Sequence, residues 1–172
     1  MNTQNENNKN QNKIIKDVPR FENDIYRICA WTGKKGDPFL DLHVFYRKDG
    51  GFKKAKEGMN ILVKFRREVA TALMTAKNDP ELPMPTDGKK CETRLVTAVE
   101  ISETQQYQIS KVRGPKNSSV RICYAAKGDN GNFIPSGKKA LSILESSIDG
   151  VVDALSSMEP DTAERESMTQ AA

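Results

Sequence analysis

The chain has 172 residues, with 27 Lys plus Arg against 23 Asp plus Glu and a formal net charge of +4. This length allows one ordinary domain or two very small ones and excludes a barrel enzyme. No stretch approaches the roughly 20 apolar residues of a membrane span, and the polar N-terminus lacks the apolar run of a secretory signal, so we expect a soluble protein without a membrane partner.

Polar ends and a proline-rich segment divide the chain. Residues 1–12 are rich in Asn and are predicted to be a disordered tail, and the acidic residues 159–172 are predicted to be a flexible tail. Prolines and a glycine in residues 78–91 oppose helix and central strand, which predicts a linker. A first unit at residues 13–77 and a second unit at residues 92–158 remain.

Apolar landmarks recur in the two units at a nearly constant separation. Tyr26 and Ile28 precede Tyr107 and Ile109 by 81 residues. Further pairs are 80 to 82 residues apart: Leu40 and Val120, Leu42 and Ile122, Phe52 and Phe133, Val69 and Val151, Leu73 and Leu155. Such self-similarity is typical of a structural unit used twice. A chance match between two amphipathic patterns is the alternative.

Alternating residues predict hairpins in both units. Residues 40–47 and 120–127 alternate between apolar and polar side chains, as strands with one buried face do. Each run enters a Gly-rich turn and then a returning segment that opens with Phe52 or Phe133, which is typical of an antiparallel hairpin.

A helix is predicted at the end of each unit, over about residues 62–77 and 144–157, because apolar side chains recur there at helical spacing. Ser142 followed by Glu145 matches a capping box, and Asn60 occupies the matching cap position of the first unit.

These elements predict an α+β fold with two tandem units, each a curved antiparallel sheet of about four strands followed by a C-terminal helix, related by a pseudo-two-fold. A unit of this size is marginally stable alone, so the two are expected to pack through their helices or sheet edges. The protein would then be a monomeric pseudo-dimer or a homodimer.

Side chains suited to catalysis are scattered. His43 is the one histidine and lies on the outward side of a predicted strand, without a Cys or Ser at motif spacing. Cys29, Cys91 and Cys123 lack the spacing of metal ligands, and their odd number and wide separation fit a reducing cytoplasm. We therefore expect no enzyme, no cofactor and no metal.

Basic and aromatic residues instead fall on the same loops and strands, and residues 21–158 carry 22 basic against 17 acidic groups. Such a surface suits a single strand, whose bases can stack on rings while its phosphates contact Lys and Arg. For Phe52 and Phe133, packing inside the hairpin is an equal alternative. The predicted nucleic-acid-binding residues are Trp31, Lys34, Lys35, Phe45, Arg47, Lys48, Phe52, Lys53, Lys54, Lys56, Lys111, Arg113, Lys116, Arg121, Lys127, Phe133, Lys138 and Lys139.

The segments LDLHVFYRKDGGFKKAKEGMNIL and VRICYAAKGDNGNFIPSGKKALSIL each contain a hydrophobic strand, a Gly turn, a basic segment and a short run entering a helix. In this they resemble the single-stranded-DNA-binding transcriptional positive coactivator family, with its bacterial and phage relatives and its Whirly cousins. That family usually has one copy per chain and dimerises, whereas this chain is expected to carry two copies. The resemblance implies that the sheets bind a single strand, with Lys53, Lys54, Lys138 and Lys139 as the best-matched basic positions and Phe45 or Tyr46 as the outward aromatic.

The leading hypothesis is a sequence-tolerant single-stranded nucleic-acid-binding protein, with ssDNA favoured over RNA, that acts in replication, recombination or transcription in a bacterial or phage-infected cytoplasm. The acidic C-terminal tail would compete for the basic groove or recruit a protein partner. The alternative is a non-enzymatic protein-interaction, virion or host-takeover module with the same fold. An apolar patch on the outward strand faces would favour that alternative.

Overall fold

The computed structural model describes residues 12–86 and 88–158, so the predicted tails lie outside the described residues except for Asn12. Each half contains four strands followed by a helix. The elements are β1 (Lys13–Phe21), β2 (Asp24–Thr32), β3 (Pro38–Lys48), β4 (Gly51–Leu62), a 3-10 turn (Val63–Phe65), α1 (Arg66–Asn78), β5 (Glu92–Ser102), β6 (Gln105–Arg113), β7 (Ser118–Lys127), β8 (Phe133–Leu144) and α2 (Glu145–Ser156).

All eight strands belong to one antiparallel sheet in the order β1-β2-β3-β4-β8-β7-β6-β5. β4 and β8 join the halves, where Gly58 pairs with Ala140. The predicted fold class of two tandem four-stranded units is therefore wrong. An unpaired edge strand leaves backbone N–H and C=O groups without partners, and the pairing of Gly58 with Ala140 covers part of two such edges.

The helices also prevent the halves from being separate units. α1 follows β4 in the chain but packs against β5, β6 and β7, whereas α2 packs against β1 and β2 as well as β7 and β8. The two helices also contact each other. Each half therefore depends on the helix of the other half for part of its buried surface. Within the described residues, neither helix is long and apolar enough to cross a lipid bilayer.

One hydrophobic core lies between the two helices and one side of the sheet. Its strand residues alternate along each strand, so the opposite side of the sheet carries the intervening side chains. Completely buried members of the core include Tyr26, Ile28, Leu40, Leu42, Ile61, Leu73, Ile109, Ile122, Ile143, Ile148, Val151 and Leu155. We call the side of the sheet that faces away from the helices the helix-free side.

Two buried tyrosines connect the halves. The hydroxyl of Tyr26 donates a hydrogen bond to Ser142 O and accepts one from Leu144 N, both at 3.0 Å. The hydroxyl of Tyr107 accepts a hydrogen bond from Leu62 N, also at 3.0 Å. Burial raises the pKa of both tyrosines, which keeps their hydroxyls protonated. Each tyrosine thereby fastens the end of the fourth strand of the other half.

The predicted caps are wrong, and α1 starts four residues after its predicted start, whereas α2 starts one residue after its predicted start. Asn60 and Ser142 lie within β4 and β8, where both pair with neighbouring strands, and neither helix has a side-chain hydrogen bond at its N-cap. The pairing of β3 with β4 and of β7 with β8 extends farther than the local sequence signals, so the strands take the residues that resemble caps.

Candidate nucleic-acid interface

Side chains of β2, β3 and β4 form an aromatic and basic surface on the helix-free side, called the first-half face. The strand register brings them together in cross-strand pairs. Arg27 lies opposite His43, Trp31 opposite Phe39, Phe45 opposite Lys54, and Arg47 opposite Phe52. Together with Asp41, these residues define the first-half face.

Two phenylalanines and two arginines form the centre of this face. The guanidinium carbon of Arg27 lies 4.9 Å from the ring centroid of Phe45 and 5.6 Å from that of Phe52. The guanidinium carbon of Arg47 lies 5.5 Å from the ring centroid of Phe52. These are cation–π distances, so the surface presents planar cations supported by rings.

The position of Arg27 is fixed by Asp17 on β1. Arg27 Nε and Nη2 donate hydrogen bonds of 2.7 Å to the two carboxylate oxygens of Asp17. This bidentate bond raises the pKa of the guanidinium, so Arg27 stays charged. Its flat group is thereby held over the rings before any ligand arrives.

A buried carboxylate lies beneath the basic groups of this face. Asp41 is 7% exposed, and its Oδ2 accepts a 2.7 Å hydrogen bond from Lys54, while its Oδ1 lies 2.7 Å from His43 Nδ1. Burial alone would raise the pKa of Asp41, but the adjacent His43 and the hydrogen bond from Lys54 outweigh it and hold the pKa below its ordinary value. Asp41 therefore orients both neighbours as a charged acceptor.

The sequence analysis placed His43 correctly on an outward strand face but did not connect it with Asp41. The contact depends on the pairing of β3 with β4, because His43 lies opposite Gly58. A Cβ atom at position 58 would overlap ring atoms Cγ and Cδ2 of His43. Glycine is required there because the imidazole occupies the space of a side chain.

Two thiols also lie on the helix-free side. Burial raises the pKa of Cys29, and the negative charge of nearby Asp41 raises this pKa further. Burial likewise raises the pKa of Cys123. Both thiols are therefore protonated at neutral pH, which makes them poor nucleophiles.

The same side of the second half has a different composition, and its residues at equivalent register positions are called the second-half face. Lys127 lies opposite Phe133, with its Nζ 5.9 Å from the ring centroid, and this pair corresponds to Arg47 and Phe52. Arg121 is half-buried between Ser110 and Ser142. The other members are smaller or uncharged: Gln108, Val112, Ser119, Cys123, Ala125 and Pro135.

Several predicted binding residues border the first-half face. Lys34 and Lys35 are exposed in the turn that follows β2, and Lys48 and Lys56 are exposed on β3 and β4. Lys53 lies opposite Tyr46 and bonds to Asp49 at 3.2 Å, so it does not share the side of Lys54. Tyr46 is exposed on the same side of the sheet as Lys53. Of the two candidates for the outward aromatic, Phe45 is therefore the one on the helix-free side.

Lys111 and Arg113 lie outside the first-half face and donate hydrogen bonds to residues at and after the C-terminal end of α1. Lys111 is 2% exposed, and its Nζ donates to Lys77 O at 3.1 Å and Asp79 O at 2.7 Å. Arg113 donates to Glu81 at 3.3 Å. Neither belongs to the first-half face, and the sequence held no local signal for this difference. Lys116 is exposed in the turn between β6 and β7.

Lys138 and Lys139 line a cleft beside the pair of Gly58 and Ala140, which we call the seam cleft. Lys139 Nζ lies 4.9 Å from the ring centroid of Tyr124. Trp31 and Phe39 line the same cleft and stack on each other with centroids 5.1 Å apart and an angle of 20° between their planes.

Sequence reasoning missed Arg27, Phe39 and Asp41 as members of the site. A usable signal existed for Arg27, because placing Tyr26 and Ile28 in the core puts the residue between them on the opposite side.

A comparison with protein-family models finds no match to this chain, and a comparison with curated proteins also finds none.

Proposed function

We propose that this chain is a sequence-tolerant single-stranded nucleic-acid-binding protein, acting in replication, recombination or transcription in a bacterial or phage-infected cytoplasm, with the first-half face as its principal binding surface. The observation that carries the proposal is the cluster in which Arg27 and Arg47 lie over Phe45 and Phe52. Planar cations next to rings suit both parts of a nucleotide, its base and its phosphate.

An unpaired strand is favoured over a duplex because the cluster presents flat groups. The faces of bases in a duplex are covered by their neighbours, so a protein contacts only base edges and phosphates there. Rings and guanidinium planes contribute most when an unstacked base lies on them, at about 1 to 3 kcal/mol per base. Every base has such a face, so binding of this kind tolerates different sequences.

The protein-interaction alternative predicts an apolar patch on the outward strand faces. On the first-half face, Phe45 and Phe52 are accompanied by Arg27 and Arg47, and Lys54 lies opposite Phe45. Protein interfaces are enriched in Arg and depleted in Lys relative to the remaining surface, so Lys54 is the member of this cluster that argues against a protein partner. The charged surroundings of the rings therefore support nucleic acid as the ligand.

The test is fluorescence anisotropy of a labelled oligo-dT in rising salt, with a duplex of equal length beside it. We expect tighter binding to the single strand and an affinity that falls as salt increases, because phosphate contacts release counterions. Salt-independent affinity, or a preference for the duplex, would contradict the proposal.

A matched pair of variants then locates the surface. Arg47→Glu places a negative charge beside Phe52, and Lys127→Glu makes a comparable change at the equivalent position of the second half. We expect Arg47→Glu to weaken oligo-dT binding at least tenfold and to reduce the salt dependence, whereas Lys127→Glu should have a smaller effect. Equal effects would show that both faces contribute alike.

A further inference from the structure

The seam cleft has a volume of about 510 Å³ and combines rings with cations. Trp31, Phe39 and His43 line one part of it, and Tyr124, Lys138 and Lys139 line another. These groups come from both halves of the chain and meet where β4 and β8 pair. Its size lies within the range of about 300 to 1,000 Å³ typical of small-molecule sites.

The equivalent place on the other side of the strand junction holds an ion pair. Arg20 Nη2 lies 3.4 Å from Glu57 Oε2, and the guanidinium carbon of Arg20 lies 5.6 Å from the ring centroid of Tyr26. Glu57 Oε1 also accepts a 3.3 Å hydrogen bond from Ser142 N. The two side chains therefore neutralise each other's charge, and Glu57 also provides a hydrogen-bond acceptor for the backbone of β8.

The strand registers show which residues take these places at the seam cleft. Val99 pairs with Tyr107 as Val18 pairs with Tyr26, which puts Ile101 at the position equivalent to Arg20. Ala140 pairs with Cys123 as Gly58 pairs with His43, which puts Lys139 at the position equivalent to Glu57.

At the seam cleft, Ile101 thus replaces Arg20 and Lys139 replaces Glu57, so the carboxylate of the ion pair has no counterpart there. Ile101 and Lys139 both line the cleft, and Lys138 adds a second positive charge next to it. Because the cleft carries cations where its counterpart carries a neutralising pair, it attracts an anion.

The rings specify the rest of the ligand. The stacked pair of Trp31 and Phe39 and the ring of Tyr124 offer apolar planes, and the amides of Asn60 and Gln105 offer both hydrogen-bond donors and acceptors. A planar base can stack on the rings, its polar edge can form hydrogen bonds with the amides, and a phosphate can contact Lys138 and Lys139.

We propose that the seam cleft binds one nucleoside monophosphate, either as a free nucleotide or as the terminal residue of a strand. This inference deepens the proposed single-strand function and rests on it, because it adds a site for a single unit beside the first-half face. Trp31 and Phe39 belong to both places and connect them.

Trp31 is the one tryptophan of the sequence, so its fluorescence reports on binding at the seam cleft or at the adjoining first-half face, and a double variant of the cleft distinguishes the two. Free dTMP is titrated into the full chain, and we expect saturable quenching of Trp31 fluorescence. Labelled dT12 with a 5′-phosphate, with a 3′-phosphate and with neither is titrated separately. A higher affinity for one phosphorylated end identifies a strand terminus as the ligand, and quenching by dTMP without such a preference identifies the free nucleotide.

The double variant Ile101→Arg with Lys139→Glu copies the ion pair of Arg20 and Glu57 into the seam cleft. It should close the cleft without harming the fold, because the same pair is accommodated at the equivalent place. We expect at least a tenfold loss of dTMP affinity. Lys90→Ala gives the same change in net charge at an exposed residue away from the cleft and should leave dTMP affinity within twofold.

The two proposals fail in different ways. If dT12 binds in a salt-dependent manner but dTMP does not quench Trp31 and no terminal phosphate raises affinity, the seam-cleft proposal is overturned and the proposed function stands. If dTMP is bound equally by the double variant, the seam cleft is also overturned as its site. If neither dT12 nor dTMP binds, both proposals are overturned.

Discussion

The first-half face and the second-half face occupy equivalent positions of one sheet, yet their chemistry differs. Where the first half has Phe45 and Arg47, the second half has Ala125 and Lys127. The buried positions behind them are apolar in both halves, including Leu42 and Ile122. The positions beneath the helices exclude water in both halves, whereas those on the helix-free side range from the fully buried Ala125 to the exposed Arg47 and Lys127. Similar cores therefore do not imply similar sites.

The strongest way to break this comparison is to remove the rings. Phe45→Ala with Phe52→Ala should weaken oligo-dT binding by at least about 30-fold, since each lost stacking contact costs about 1 to 3 kcal/mol, two cost at least about 2 kcal/mol, and 1.4 kcal/mol is tenfold. Phe133→Ala is the matched change in the second half and should cost less than about fivefold. Anisotropy titrations at one fixed salt concentration measure both, and thermal unfolding shows whether each variant is folded. Equal losses would remove the distinction between the faces.

The buried carboxylate gives the next largest effect. Asp41→Asn should lower the free energy of unfolding at pH 7 by about 1.5 to 3 kcal/mol, because hydrogen bonds to a charged group are lost. Folding lowers the pKa of Asp41, so its stabilisation is present above the ordinary pKa near 4 and is lost as pH falls through the lowered value. Urea unfolding across this pH range should show the two proteins converging in acid.

Asp49→Asn serves as the control for that experiment. Asp49 pairs with Lys53 in an exposed hairpin, where an ion pair contributes about 0 to 1 kcal/mol. A loss at pH 7 as large as that of Asp41→Asn would show that burial of Asp41 is not the cause of its effect.

The junction between the halves can be tested with a small substitution. Gly58→Ala should destabilise the protein by about 1 to 3 kcal/mol, because the added methyl group overlaps the ring of His43. Combining it with His43→Cys copies the second-half pair of Cys123 and Ala140 and should restore most of the stability. Chemical denaturation measures all three proteins. If the single variant is as stable as the parent chain, the overlap of the methyl group with His43 is not a constraint.

The smallest predicted difference concerns the two buried tyrosines. Tyr26→Phe leaves Leu144 N and Ser142 O without their partner, whereas Tyr107→Phe leaves only Leu62 N. Each lost hydrogen bond is expected to cost about 0.5 to 1.5 kcal/mol, so Tyr26→Phe should be the more destabilising change by about that amount. Parallel thermal unfolding of the two variants measures the difference, and the reverse order would contradict the assigned bonds.

Local patterns led to the strands and helices but not to their assembly. The alternation around Leu40 and Val120 and the glycines after each run indicate hairpins because these signals act between near neighbours. The helix caps were misplaced because Asn60 and Ser142 resemble caps but are held in strands by pairing. Lys111 resembles a surface lysine and became buried through contacts with backbone carbonyls more than 30 residues away.

The sequence by itself determined the order of strands and helices in each half and the residues that must avoid water, because hydrophobic periodicity is a property of adjacent positions. Only the tertiary structure decided that β4 pairs with β8 and that α1 covers strands of the other half. It also decided that Arg27 lies over Phe45 and that Lys139 replaces an acid beside an open cleft. These contacts depend on the relative register of distant strands, and no local pattern encodes that register.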